Sequence, residues 1–230
     1  MARHLFPSLS VLWQRHVDLY NKIFSDALES LACYDTLSGN EDTISEILYV
    51  IINDICFKFS KSSNKEVRTP IWECQIPPVS YNNLKGKKTH KKPDFTCRCS
   101  NPWADSPELH EISLHVECKR LGNPTSTTWI LNKNYVKNGI ERFDNSIHEY
   151  GKNASSGIMI GYIISMEPSE VINEVNGYQS IYLPDNPAIS FAYDDNKVFQ
   201  TSQDLQRKII APYDFKLIHI WVDLRRNYKL

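Results

Sequence analysis

The sequence predicts an α/β fold, a mixed sheet with helices on its faces. Three observations predict it. Two stretches of helical apolar spacing open the chain. Short strand-like runs, separated by turn residues, follow them. A nine-residue apolar run, GIMIGYIIS at 157–165, then fits a strand covered on both faces.

The elements follow in order. Over 10–32, Leu12, Val17, Tyr20, Ile23, Phe24, Ala27, Leu28 and Leu31 recur at helical spacing. Ser38-Gly39-Asn40 supplies turn chemistry. A second helix is predicted over 41–59, with Ile44, Ile47, Leu48, Ile51, Ile52 and Ile55 as its core stripe. Ile71, Trp72, Cys74 and Ile76 suggest a strand that Pro77 and Pro78 end. A lysine-rich loop leads to a short strand at 94–99, a turn at 101–107 and the clearest strand, at 111–120. A helix at 132–150, the apolar strand, a helix near 168–175, a hairpin around 182–198 and a last strand at 217–224 complete the chain. The sequence therefore reads as a single domain over 1–230: an N-terminal helical extension (1–40), a core (41–165) and a β-rich C-terminal extension (166–230).

At 41% hydrophobic and 23% charged, the 230 residues have the composition of an ordinary globular chain. Six cysteines, with no C-x-x-C pair, point to a reduced, cytoplasmic protein rather than a zinc module or a disulfide scaffold. No run of about 18 apolar residues exists, so no membrane span is expected. The net charge of −1 carries no global basicity, so a nucleic-acid partner would have to meet a local patch.

The strand at 111–120 carries the chemistry. Ile112, Leu114, Val116 and Cys118 alternate with Ser113, His115, Glu117 and Lys119, so Glu117 and Lys119 share one face while Cys118 turns to the core. A carboxylate there can ligate a divalent cation, and the ammonium beside it can orient water or steady phosphate charge. Asp94, after Pro93 and at the start of the preceding strand, supplies a second carboxylate. A hairpin between the two strands would bring it to Glu117.

Pro93-Asp94, a hairpin-length gap and Glu117-Cys118-Lys119 together resemble the PD-(D/E)XK nuclease superfamily, to which many restriction endonucleases and Holliday-junction resolvases belong. The resemblance covers roughly 41–165 and implies a restriction-endonuclease-like αβββαβ core. It implies that Asp94, Glu117 and the backbone carbonyl of Cys118 bind magnesium, with manganese as a substitute, and that Lys119 positions the attacking water. It further implies a catalytic glutamate on the first core helix. Glu41 lies about 50° from the centre of the helix's core stripe and Glu46 about 170° away, which selects Glu41. Ser38-x-x-Glu41 also fits a capping box.

Lys85, Lys87, Lys88, Lys91 and Lys92, in the loop before Asp94, and Arg120, at the end of the catalytic strand, are the candidate phosphate contacts. They read no bases. His115 shares the Glu117 face as a structural residue or a phosphate contact. The later helix offers Lys133, Lys137, Glu141 and Arg142 as a wet face or a backbone track. The aromatic tail reads as core packing before stacking platform.

The expected function is magnesium-dependent hydrolysis of nucleic-acid phosphodiesters, DNA before RNA, in bacterial restriction or anti-phage defence. The segment YVKNGIERF followed by GIMIGYIIS resembles restriction-like proteins of such loci. A resolvase or repair nuclease is the alternative activity. A non-catalytic nucleic-acid-binding module on the same fold, or an exposed Glu117–Lys119 ion pair of no chemical consequence, are the alternatives without catalysis. No phosphate-binding G-x-x-x-x-G-K-[ST] loop is present, so an ATPase or sensor would be a separate chain. A double-strand cut would need two centres, which favours a homodimer.

Overall fold

The computed structural model describes residues 8–75, 92–192 and 196–229. A six-stranded mixed sheet forms its centre, in the order β2-β3-β4-β5-β7-β6. Its strands are β2 (Ile71–Trp72), β3 (Phe95–Ser100), β4 (Glu111–Leu121), β5 (Ser156–Ile163), β6 (Val198–Gln206) and β7 (Asp214–Asp223). The β2/β3, β3/β4 and β6/β7 pairs are antiparallel, whereas β4/β5 and β5/β7 are parallel. Helices α1 (Leu9–Leu31), α2 (Glu41–Ser63), α3 (Leu131–Lys137) and α4 (Pro168–Tyr182) flank the sheet. A two-residue parallel pair, β1 (Leu37–Ser38) with β8 (Tyr228–Lys229), joins the chain start to its end.

Alternation along the strands sorts the core into two clusters on opposite faces. Ile158, Ile160 and Tyr162 of β5 pack with Ile218, Ile220 and Val222 of β7 against α1 and α2. Met159 and Ile163 pack with Leu217 and Trp221 against α3 and α4. All eight residues of β5 are buried, as the apolar run predicted. Each large aliphatic side chain so buried contributes roughly 1.5–3 kcal/mol.

Several boundaries differ from the sequence reading. The helix expected over 132–150 stops at Lys137 and continues as a 3-10 turn, Ile140–Asp144. Asn138-Gly139 breaks it, and Gly139 lies against the sheet: a Cβ there would sit 2.4 Å from the Tyr135 carbonyl and 2.5 Å from Met159 Cε. The C-terminal hairpin is not at 182–198 but is formed by β6 and β7, which extend the central sheet. Helix α4 runs past 175 to Tyr182. The N-cap of α2 is Asn40, whose side chain accepts the Thr43 amide at 3.0 Å. Glu41 is thus the first helical residue, and the Ser38–Glu41 capping box does not form. Of the tail aromatics, Phe191, Phe199, Phe215 and Trp221 are core residues, while Tyr213 is exposed.

Candidate active site at the fork between β3 and β4

Strand β4 is longer than its neighbour. Its first half pairs with β3 as far as Val116 opposite Phe95, and its second half, from Val116 to Leu121, pairs with β5. Beyond Val116 no strand among the described residues lies on the β3 side of β4, so its amides need other acceptors. Two carboxylates supply them. Asp94, one residue before β3, accepts the Cys118 amide on Oδ2 at 2.5 Å. Glu41 Oε2 accepts the Arg120 amide at 3.1 Å. The two acids therefore occupy the fork where the strands part.

Local structure fixes each of them. Pro93 precedes Asp94, and the Asp94 carbonyl accepts the Glu73 amide at 3.0 Å just after β2. Glu41 stands at the start of α2, behind Gly39, whose φ of +97° suits a residue without a Cβ. The Gly39 carbonyl accepts hydrogen bonds from Tyr228 Oη and, at 3.3 Å, from Arg120 Nη1. The C-terminal strand β8 thus helps to pin the helix that carries Glu41.

Lys119 ties the acids together. Its Nζ donates at 2.7 Å to each of Glu41 Oε1, Glu117 Oε1 and the Cys118 carbonyl. Glu117 Oε1 also accepts from Arg142 Nη1. Glu117 is fully buried and the Lys119 side chain only 9% exposed, whereas those of Glu41 and Arg142 are 27% and 26% exposed. The network therefore meets solvent through Glu41 and Arg142, and an exposed ion pair is not what Glu117 and Lys119 form.

Burial lifts the Asp94 carboxyl well above its ordinary range, and the charge of Glu117 lifts it further; Lys119 and the Cys118 amide oppose the rise. Burial likewise raises Glu117 against the pull of Lys119 and Arg142. Burial draws the Lys119 ammonium down, but Glu117, Glu41 and Asp94 outweigh it and hold the group charged. Glu117 Oε2 is buried and has no hydrogen-bond partner among the described residues. An orphaned carboxylate oxygen is costly unless a ligand completes it. The donors here are hard oxygens: the two carboxylates of Asp94 and Glu117, with the Cys118 carbonyl beside them. Among the described residues no three His, Cys, Asp or Glu side chains form a ready cluster for a metal ion.

The other sequence candidates fall as follows. Lys85, Lys87, Lys88 and Lys91 lie outside the described residues. Lys92 is exposed, 3.8 Å from Glu73. The Arg120 guanidinium turns to Gly39 and to Tyr228 Oη. His115 is buried and accepts the Gly151 amide on Nδ1 at 2.9 Å, while burial depresses its pKa to about 4. That makes it a structural residue.

Arg142, which the sequence offered only as part of a wet helix face or a backbone track, is instead a site residue bonded to Glu117. The 3-10 turn that carries it is anchored by Asp144, which accepts the amides of Lys208, Ile209 and Ile210. Arg207 holds the carbonyls of Phe143 and Gly151, at 3.3 and 3.1 Å. These partners lie more than 50 residues downstream of what they bind, so no local pattern announced them.

Fold and site together define an α/β protein with a mixed six-stranded sheet flanked by helices and a buried acid–base cluster at a strand fork. No protein-family model, no curated protein and no solved structure matches the chain. Among the described residues no helix is long and apolar enough to cross a membrane.

Proposed function

We propose that the protein is a magnesium-dependent nuclease of the PD-(D/E)XK type, hydrolysing nucleic-acid phosphodiesters at the β3/β4 fork. One observation carries the reading: the buried Glu117 oxygen without a partner among the described residues, beside Asp94 and next to a lysine with three acceptors. The order α2-β2-β3-β4-α3-β5 supports it, since the resemblance implies that order of elements for the core.

In this reading Asp94 and Glu117 hold the magnesium ion with the Cys118 carbonyl. Bound there, the ion would supply Lewis-acid stabilisation of phosphate charge. Lys119 is fixed by three acceptors, so its ammonium is preorganised to orient the water that attacks phosphorus. Glu41 holds Lys119 from the solvent side. The water oxygen bonds to phosphorus and gives up a proton to solvent, one P–O ester bond breaks, and the leaving oxygen takes up a proton from solvent. DNA in a bacterial defence setting is the preferred substrate and biology. The lysines of 85–92 would be the phosphate contacts, and a second copy or a separate sensor or ATPase chain would select the target.

One observation favours a second reading. Apart from Glu117 Oε2, the charged side chains at the fork leave no buried oxygen or nitrogen without a partner among the described residues, as in a structural ion network that closes the end of β3. The test is incubation of the purified protein with magnesium or manganese against plasmid, linear duplex, single strands and RNA. Metal-dependent cleavage that chelation stops is expected. Intact substrates under every condition would leave only the structural reading.

A further inference from the structure

Glu117 is held by two cations of different character. Lys119 gives all three of its ammonium protons to fixed acceptors and is almost fully buried. Arg142 uses one N–H of its guanidinium on Glu117, and the group makes no other side-chain hydrogen bond among the described residues. Its side chain is about a quarter exposed, on a short 3-10 turn at the mouth of the site. The charges bear on this difference. With all three carboxylates ionised, as metal ligation requires, Asp94, Glu117 and Glu41 against Lys119 alone carry two negative charges, which one divalent cation neutralises. With Arg142 also in place only one remains. Arg142 thus stands in for half the charge of the ion that the site would take.

Resting on the nuclease reading, we propose that Arg142 is a displaceable stopper. It holds Glu117 while no metal is bound and yields the carboxylate to a divalent cation. Arg142 is then a positioning residue that sets how readily the centre loads, and not a structural tether. Its guanidinium, once released, is free to meet an anion at the mouth of the site.

The test is titration of manganese into the full-length protein without nucleic acid, read by the spin-resonance signal of free manganese. Arg142→Gln is expected to bind manganese about tenfold more tightly than wild type, because one cationic charge next to the ligands is gone. Asp94→Asn should weaken binding in both backgrounds, which locates the ion. A folded Arg142→Gln protein with unchanged or weaker affinity overturns the stopper. If wild type then still cleaves, the nuclease reading stands without it. Absence of manganese binding in both proteins overturns the stopper and the nuclease reading together. Should Arg142→Gln fail to fold, wild type gives the same answer through phenylglyoxal modification of Arg142, mapped by peptide mass spectrometry. Manganese is expected to speed that modification several-fold, and an unchanged or slower rate overturns the proposal.

Discussion

The Asp94 carboxylate accepts the backbone amide of Cys118 at 2.5 Å, at the point where β3 ends and β4 runs on. That bond places an acid beside Glu117 and leaves it half-buried at the mouth of a fork. An asparagine could make the same bond through its carbonyl oxygen. Charge and fold are therefore separable at position 94, and several expectations rest on such separations.

Lys119→Met should destabilise the protein by about 3–5 kcal/mol, because it leaves the fully buried Glu117 with Arg142 as its one cation and Glu41 with only an amide to hold. Chemical denaturation measures the loss. Millimolar magnesium should restore more stability to this variant than it adds to wild type. A loss below about 1 kcal/mol would show that the network does not depend on the lysine.

Stability should fall on mild acidification through His219. Its ring is fully buried and fits its partners as a neutral group: Nδ1 accepts from Tyr135 Oη at 2.7 Å, and Nε2 donates to Gln203 Oε1 at 3.3 Å. Burial depresses its pKa to about 3. The unfolded chain therefore takes up this proton first. The stabilisation is complete above about pH 6.5 and is lost as pH falls below that value, by roughly 3 kcal/mol near pH 4. The raised carboxyls of Asp94 and Glu117 act in the opposite direction, so the comparison is between wild type and His219→Gln. Thermal melts from pH 7 to pH 4.5 should show a shallower pH slope in the variant; equal slopes would contradict the assignment.

Gly122→Ala should cost about 2 kcal/mol or more. Gly122 ends β4 with φ at +134°, and an added Cβ would lie 2.6 Å from the Ser165 carbonyl oxygen. The Gly122 amide also donates to Asn132 Oδ1 at 2.9 Å, which couples the end of the strand to α3. Urea midpoints measure the effect, and a midpoint equal to wild type would contradict it.

Much of this arrangement is legible in the sequence. Alternation along 111–120 put Glu117 and Lys119 on one face, and the phase of the Ile44–Ile55 stripe turned Glu41 toward the sheet. Both follow from local periodicity. The burial of Glu117 was not legible, because the cover over its face is a turn rather than a helix. That turn is held by Asp144 and Arg207 through contacts far apart in sequence. The same limit hid β6. Its buried Gln203 breaks the apolar alternation, and its amide is satisfied by Gln179 at 3.0 Å and by the Pro187 carbonyl. The hairpin expected around 182–198 does not form among the described residues, where 183–192 carry no helix or strand after α4.

The most direct measurement is magnesium-dependent cleavage by wild type and Asp94→Asn, after denaturation shows the two to be within about 1 kcal/mol of each other. The account predicts cleavage by wild type and a loss of roughly a hundredfold or more in the variant, the scale of removing one preorganised charge from an active site. Equal cleavage rates, or a wild-type protein that leaves every substrate whole, would contradict it.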